Sequence, residues 1–153
     1  MTVVTAAIDV DAPIDAVWQV ISDPRNLPHW ERHIVRVTGV PKEGLREGSR
    51  YVTEMRFLSV RAKVRASVLE WDPPRRATFQ LVGLLDATVT TTVEPIDADR
   101  SRLDHVVEYS FRGGPLGEIA ARSLRLVGGA GFALRRGILA QKRQIEELSA
   151  GEW

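Results

Sequence analysis

The chain has 153 residues, with 21 Lys and Arg against 20 Asp and Glu, and contains no cysteine. That length gives one domain able to bury its own core without staples, and the near-zero net charge lacks the excess of Lys and Arg that marks a nucleic-acid binder. The missing thiols exclude cysteine nucleophiles, disulfides, thiolate zinc and iron–sulfur ligation, and no stretch approaches the roughly 20 apolar residues that cross a bilayer.

Met1 to Asp11 has no basic leader region, so a cytoplasmic protein with no nucleic-acid partner and no stable membrane insertion is expected. Val3 to Val10 reads as a strand. Asp11-Ala12-Pro13 then offers a helix start, with Asp11 as candidate N-cap and Pro13 in the first turn. Ile14, Val17, Trp18 and Ile21 recur at helical spacing over Ala12 to Ser22. The stretch DPRNLPHW at 23–30 permits only a short or irregular helix. Ile34 to Val40 is the next strand, followed by a loop from Pro41 to Gly48.

From Ser49 the period is near two, with Tyr51, Thr53, Met55 and Phe57 on one face and Val52, Glu54 and Arg56 on the other. A hairpin turn at Leu58-Ser59 is expected, because alternation resumes with Val60, Ala62, Val64, Ala66 and Val68 opposed by Arg61, Lys63 and Arg65. Asp72-Pro73-Pro74 breaks the chain, and strands follow at Ala77 to Val82 and Leu84 to Glu94. The last strand sets Leu103, His105, Val107, Tyr109 and Phe111 on one side and Asp104, Glu108 and Arg112 on the other. Pro115 to Leu148 reads as a long helix with an apolar seam that includes Leu116, Val127, Leu134, Ile138 and Ile145. A straight helix of that length would run about 50 Å. It is expected to bend or break, most cheaply at Gly128-Gly129-Ala130-Gly131.

A curved antiparallel sheet along a C-terminal helix encloses space, so a cavity is expected between them. The order β-α-α, six further strands and one long helix resembles the helix-grip fold of the START-like (SRPBCC) superfamily, an α+β architecture with a seven-stranded curved antiparallel sheet wrapped around a long C-terminal helix. Local matches are Val17-Trp18, Asp23-Pro24, Leu27-Pro28, Trp30, the run Glu70-Trp71-Asp72-Pro73-Pro74-Arg75-Arg76 and a charged end from Gln141 to Glu146. The resemblance covers essentially the whole chain as a single domain, 1–153, and the chain closely resembles the polyketide cyclase/dehydratase branch. It implies binding of a hydrophobic small molecule and, in that branch, cyclisation of a polyketide. Shared fold does not fix the activity, however, because members of one fold place different chemistry in the same frame.

The candidate acid/base groups are His105 and Tyr109, on the inward face of the last strand, where burial shifts pKa values. Each has a plain structural reading as a hydrogen-bonded core side chain. Four residues of strand separate them by about 13 Å, so they form no direct dyad. The candidate ligand-binding set is Trp30 over the mouth, then Tyr51, Thr53, Met55, Phe57, Phe79, Leu81 and Thr91 on the concave face and Leu134 on the helix, with Ala62, Ala66 and Ala87 leaving volume unfilled. Neither a cofactor nor a metal is expected. His29 and His33 are four apart, but Pro28 opposes helical geometry and the pattern is not H-E-x-x-H. A basic stripe of Arg50, Arg56, Arg61, Lys63 and Arg65 lies on the convex face, where solvated strand charges that discourage edge pairing are the ordinary explanation and a phosphate or lipid-headgroup surface the alternative. No G-x-S-x-G elbow, phosphate loop or dinucleotide fingerprint occurs. The function that the resemblance implies is that of a polyketide cyclase or aromatase-like protein acting on a bulky, largely apolar molecule. The alternatives are a non-catalytic carrier or sensor of a lipid, quinone or similar hydrophobe, and an interaction module with a filled core.

Overall fold

The computed structural model describes residues 2–29, 31, 33–57, 59–83, 85–126 and 128–152. Seven strands form one antiparallel sheet in the order β1-β7-β6-β5-β4-β3-β2. They are β1 (Thr2–Val10), β2 (Ile34–Thr38), β3 (Arg50–Phe57), β4 (Val60–Asp72), β5 (Arg76–Val82), β6 (Leu85–Pro95) and β7 (Ser101–Phe111). Between β1 and β2 lie α1 (Ile14–Ile21) and a 3₁₀ segment (Pro24–His29), and the chain closes with α2 (Pro115–Leu126), α3 (Ala130–Glu147) and a π-helical turn (Leu148–Glu152). This is the helix-grip α+β arrangement. Sequential hairpins carry the chain across the sheet from β2 to β7, and β1 then pairs with β7, so both edges are reached without a crossover between parallel strands.

α1 starts from Pro13, whose extended backbone (φ −67°, ψ 157°) serves as the N-cap with no side-chain hydrogen bond. The expectation that Asp11 caps the helix is corrected. Its backbone N–H instead donates to Glu146 Oε2 at 2.7 Å, and Lys142 Nζ donates both to that oxygen at 2.7 Å and to Asp9 O at 2.8 Å. These three groups tie the end of α3 to the end of β1. Buried Ser101 Oγ donates to Ala12 O at 2.8 Å, fixing the start of β7 beneath the entry to α1.

The long C-terminal helix is two helices. Gly128 and Gly129 take φ of 100° and 90°, a region that favours glycine, and the axis turns between α2 and α3. The charged end from Gln141 to Glu146 is likewise not all solvated. Gln141 and Ile145 fall one helical turn apart on the buried face that also carries Ile138.

Two clusters of packed side chains flank the space between sheet and helix. One joins Val10, Val17, Val20, Val93 and Leu103 to Ile138 and Ile145 of α3, each fully buried aliphatic side chain contributing about 1.5–3 kcal/mol. The other joins Leu45, Tyr51, Ala66 and Val68, with Trp71 and Phe79 against them. A bulge between Val68 and Glu70 exchanges the faces of β4. Before it the even-numbered Val64, Ala66 and Val68 are buried; beyond it Trp71 turns inward, edge-on to Trp18 with ring centroids 5.2 Å apart.

Candidate functional site

A cavity of about 250 Å³ lies between the concave face of the sheet, α3 and the segment after α1. It is slightly smaller than the roughly 300–1,000 Å³ usual for small-molecule sites. Of the expected lining residues, Tyr51, Thr53, Met55, Phe79, Leu81, Thr91 and Leu134 do border it, together with His105. Trp30 and the side chain of Phe57 lie outside what the structure describes. Tyr109 borders a different hollow, between the end of β7 and the α2–α3 elbow, with Phe111 and Leu124. The expectation that His105 and Tyr109 open into one space is therefore corrected: β7 continues past the cavity, and Val107 is its last residue on the lining.

The walls are mostly aliphatic and aromatic, and Thr91, His105 and Gln141 stand together on one side. His105 is only 6% exposed and Gln141 only 2%. His105 Nε2 lies 2.8 Å from Gln141 Oε1 and His105 Nδ1 lies 2.8 Å from Thr91 Oγ1. An amide oxygen only accepts, so Nε2 carries the proton, and Nδ1 accepts from the Thr91 hydroxyl. The chain of groups therefore has one consistent direction, hydroxyl to ring to amide oxygen. Cross-strand register puts it together, since Thr91 on β6 is directly opposite His105 on β7. α3 contributes Gln141 from above.

Burial pushes the His105 pKa below its ordinary value, against the opposing hydrogen bond to Gln141 and the charge of Asp104. The ring is accordingly neutral at pH 7. Burial also raises the Tyr51 hydroxyl well above its usual range, so that group acts only as an uncharged phenol. Thr53 Oγ1 donates to Val64 O at 3.3 Å and is partly committed to the sheet.

Glu31 stands on the opposite lining, from the segment that enters β2. Its Oε1 accepts from the backbone N–H of His33 at 3.1 Å and lies 3.0 Å from His33 Nδ1. The 3₁₀ segment ends at His29, so His29 and His33 do not share a helical face.

Gln141, Glu31 and Leu45 border the cavity and escaped the sequence reading. Gln141 stands in the apolar seam of α3 at the step between Leu134, Ile138 and Ile145, and a single polar residue on an otherwise apolar stripe was the available signal. Glu31 and Leu45 come from loops that carry no periodic pattern, and nothing local aims them inward.

A family model described as polyketide cyclase / dehydrase and lipid transport matches residues 1–139. No curated protein matches the chain. Among solved structures, the ZhuI aromatase/cyclase from Streptomyces sp. R1128 aligns with a TM-score of 0.77 at 16% identity, covering 98% of each chain. A START superfamily protein from Mycobacterium smegmatis aligns with a TM-score of 0.69 at 14% identity, covering 95% of this chain and 98% of that one. One half of the di-domain aromatase/cyclase BexL, from the BE-7585A biosynthetic pathway, aligns with a TM-score of 0.70 at 22% identity, covering 99% of this chain and 48% of that one. At these identities the likeness is one of fold.

Proposed function

Because the chain belongs to the polyketide cyclase / dehydrase and lipid transport family, we propose that it binds a largely apolar, carbonyl-bearing molecule of a few rings or a short folded chain in the cavity beneath α3, and that it acts on it as a cyclase or aromatase. The observation that carries this reading is the Thr91–His105–Gln141 array, a buried chain of hydrogen bonds on the wall of a mostly apolar cavity. Such a wall gives affinity by desolvation, while one polar array orients the ligand's oxygen.

The chemistry this array supports is an internal aldol-type closure. With the Thr91 hydroxyl turned aside, His105 Nδ1 takes a proton from the carbon between two carbonyls. The Nε2–H bond to Gln141 Oε1 stabilises the imidazolium so formed. The enolate carbon then bonds to a second carbonyl carbon of the same chain, and Nδ1 returns its proton to the new alkoxide oxygen. No oxidant or reductant is needed, and confinement of both chain ends supplies much of the barrier reduction. A neutral ring at pH 7 begins in the protonation state this sequence requires. Tyr109 has no part in the reading, because it borders another hollow.

The second reading is a carrier that releases its ligand unchanged. It is favoured by one observation, that both ring nitrogens of His105 already have protein partners. The two readings separate on His105→Gln, assayed with a poly-β-ketone for product and with a non-reactive aromatic ketone for affinity. Cyclisation falling at least tenfold more than affinity supports the cyclase, and equal losses support the carrier.

A further inference from the structure

The outward side of the C-terminal helices has no role in the cavity, yet its composition is unlike the rest of the surface. From residue 119 to residue 145 there are six basic residues and no Asp or Glu, leaving 15 basic and 20 acidic residues elsewhere. Among the described residues, Arg122, Arg125, Arg135 and Arg136 meet no carboxylate, whereas Lys142 pairs with Glu146. The same surface exposes large apolar side chains, Leu126 at 71% and Phe132 at 46%, with Leu139 close behind.

The two kinds of residue are interleaved along α3. Phe132, Arg136, Leu139 and Arg143 follow at spacings of four, three and four, which puts them on one side of the helix, opposite Ile138, Gln141 and Ile145. The Arg136 guanidinium lies 5.8 Å from the centroid of the Phe132 ring. At the other side of the glycine break, Arg125 and Leu126 end α2. Exposed aromatic and aliphatic groups need an apolar medium, and unpaired guanidinium groups beside them need anionic oxygens at the same depth. The interface of an anionic bilayer supplies both within one shallow layer.

We propose that the α2–α3 elbow and the outward stripe of α3 dock reversibly on an anionic lipid bilayer, Leu126 and Phe132 entering the interface and Arg125, Arg135 and Arg136 meeting the headgroups. The proposal is independent of what the cavity binds. It differs from spanning, since no helix among the described residues is long and apolar enough to cross a membrane.

Flotation with phosphatidylcholine vesicles, with and without phosphatidylserine, tests it on the intact chain. Binding is expected only with phosphatidylserine, and is expected to fall as salt rises from about 0.1 to 1 M and the Debye length shrinks from about 10 to 3 Å. Each headgroup arginine strengthens binding roughly fivefold, so Arg135→Gln with Arg136→Gln should weaken it roughly 25-fold. Leu126→Ser with Phe132→Ser should abolish it at either salt. A control, Lys63→Gln with Arg65→Gln on the convex face of the sheet, should leave it within about twofold, less than the effect of one headgroup arginine. The proposal is overturned if the unmodified protein ignores phosphatidylserine vesicles at low salt. It is equally overturned if both elbow variants float as well as the unmodified protein, or if only the convex-face variant loses binding. Circular dichroism on each variant confirms that the exposed substitutions leave the fold intact, and the two independent elbow variants keep the test decisive should one be unstable.

Discussion

Replacing Gln141 by Leu tests whether the buried array is one unit. Leucine has nearly the same helix propensity as glutamine, so α3 itself should be unaffected. The change removes the acceptor 2.8 Å from His105 Nε2 and leaves a ring N–H with no partner beneath the helix. An orphaned buried donor costs about 1–3 kcal/mol. At roughly 2–4 °C per kcal/mol for a domain of this size, the midpoint should fall by about 2–12 °C. Adding His105→Leu and Thr91→Val removes the stranded donors, and the triple variant should recover most of that loss, because polar partners exchanged together for apolar groups leave nothing unpaired. Thermal melts followed by far-UV circular dichroism measure all three proteins. If Gln141→Leu is as stable as the parent, or if the triple variant is no more stable than Gln141→Leu, the array is not the coupled network the geometry implies.

Protonation gives a second handle. The folded pKa of His105 lies below its ordinary value of 6.5, so below about pH 6.5 the unfolded chain takes up a proton that the folded one refuses, and stability falls with pH at up to about 1.4 kcal/mol per unit. His105→Leu should lack that component between pH 6.5 and 5.5, and identical slopes in the two proteins would contradict the assignment. At the elbow, Gly129 has φ 90° and ψ 176°, a conformation essentially reserved for glycine, so Gly129→Ala should cost about 1–3 kcal/mol. Gly131→Ala, within α3, should instead stabilise by up to about 1 kcal/mol; thermal melts of the pair should move in opposite directions. Val107→Trp projects a large ring into the cavity and should cost about 1–3 kcal/mol while abolishing uptake of a small aromatic ketone. Uptake that survives this change, read by isothermal titration, would move the binding site elsewhere.

The fold was legible because alternation of period two is a strong local signal. It fixed which residues of β3, β6 and β7 face the concave side, and from that the lining of Tyr51, Thr53, Thr91 and His105. What was not legible depended on distances between elements. Tyr109 shares the face of His105, yet the reach of the cavity along β7 is set by where α3 begins, which no strand pattern records. The inward turn of Trp71 follows a bulge whose extra residue, exposed Leu69, looks in the sequence like one more apolar strand position. Gln141 was read only as the first residue of a charged end, and the opposing His105 explains why an amide is buried there.

The central claim is that an apolar, carbonyl-bearing ligand sits against His105 and Gln141. Its most direct measurement is the ¹⁵N spectrum of the His105 ring during titration with a bicyclic aromatic ketone, with His105→Gln used to assign the signals. The expected result is a saturable shift of both ring nitrogens, Nδ1 the more, with the ring neutral throughout at pH 7. Saturable binding of the ketone that leaves both His105 signals unmoved would contradict the account.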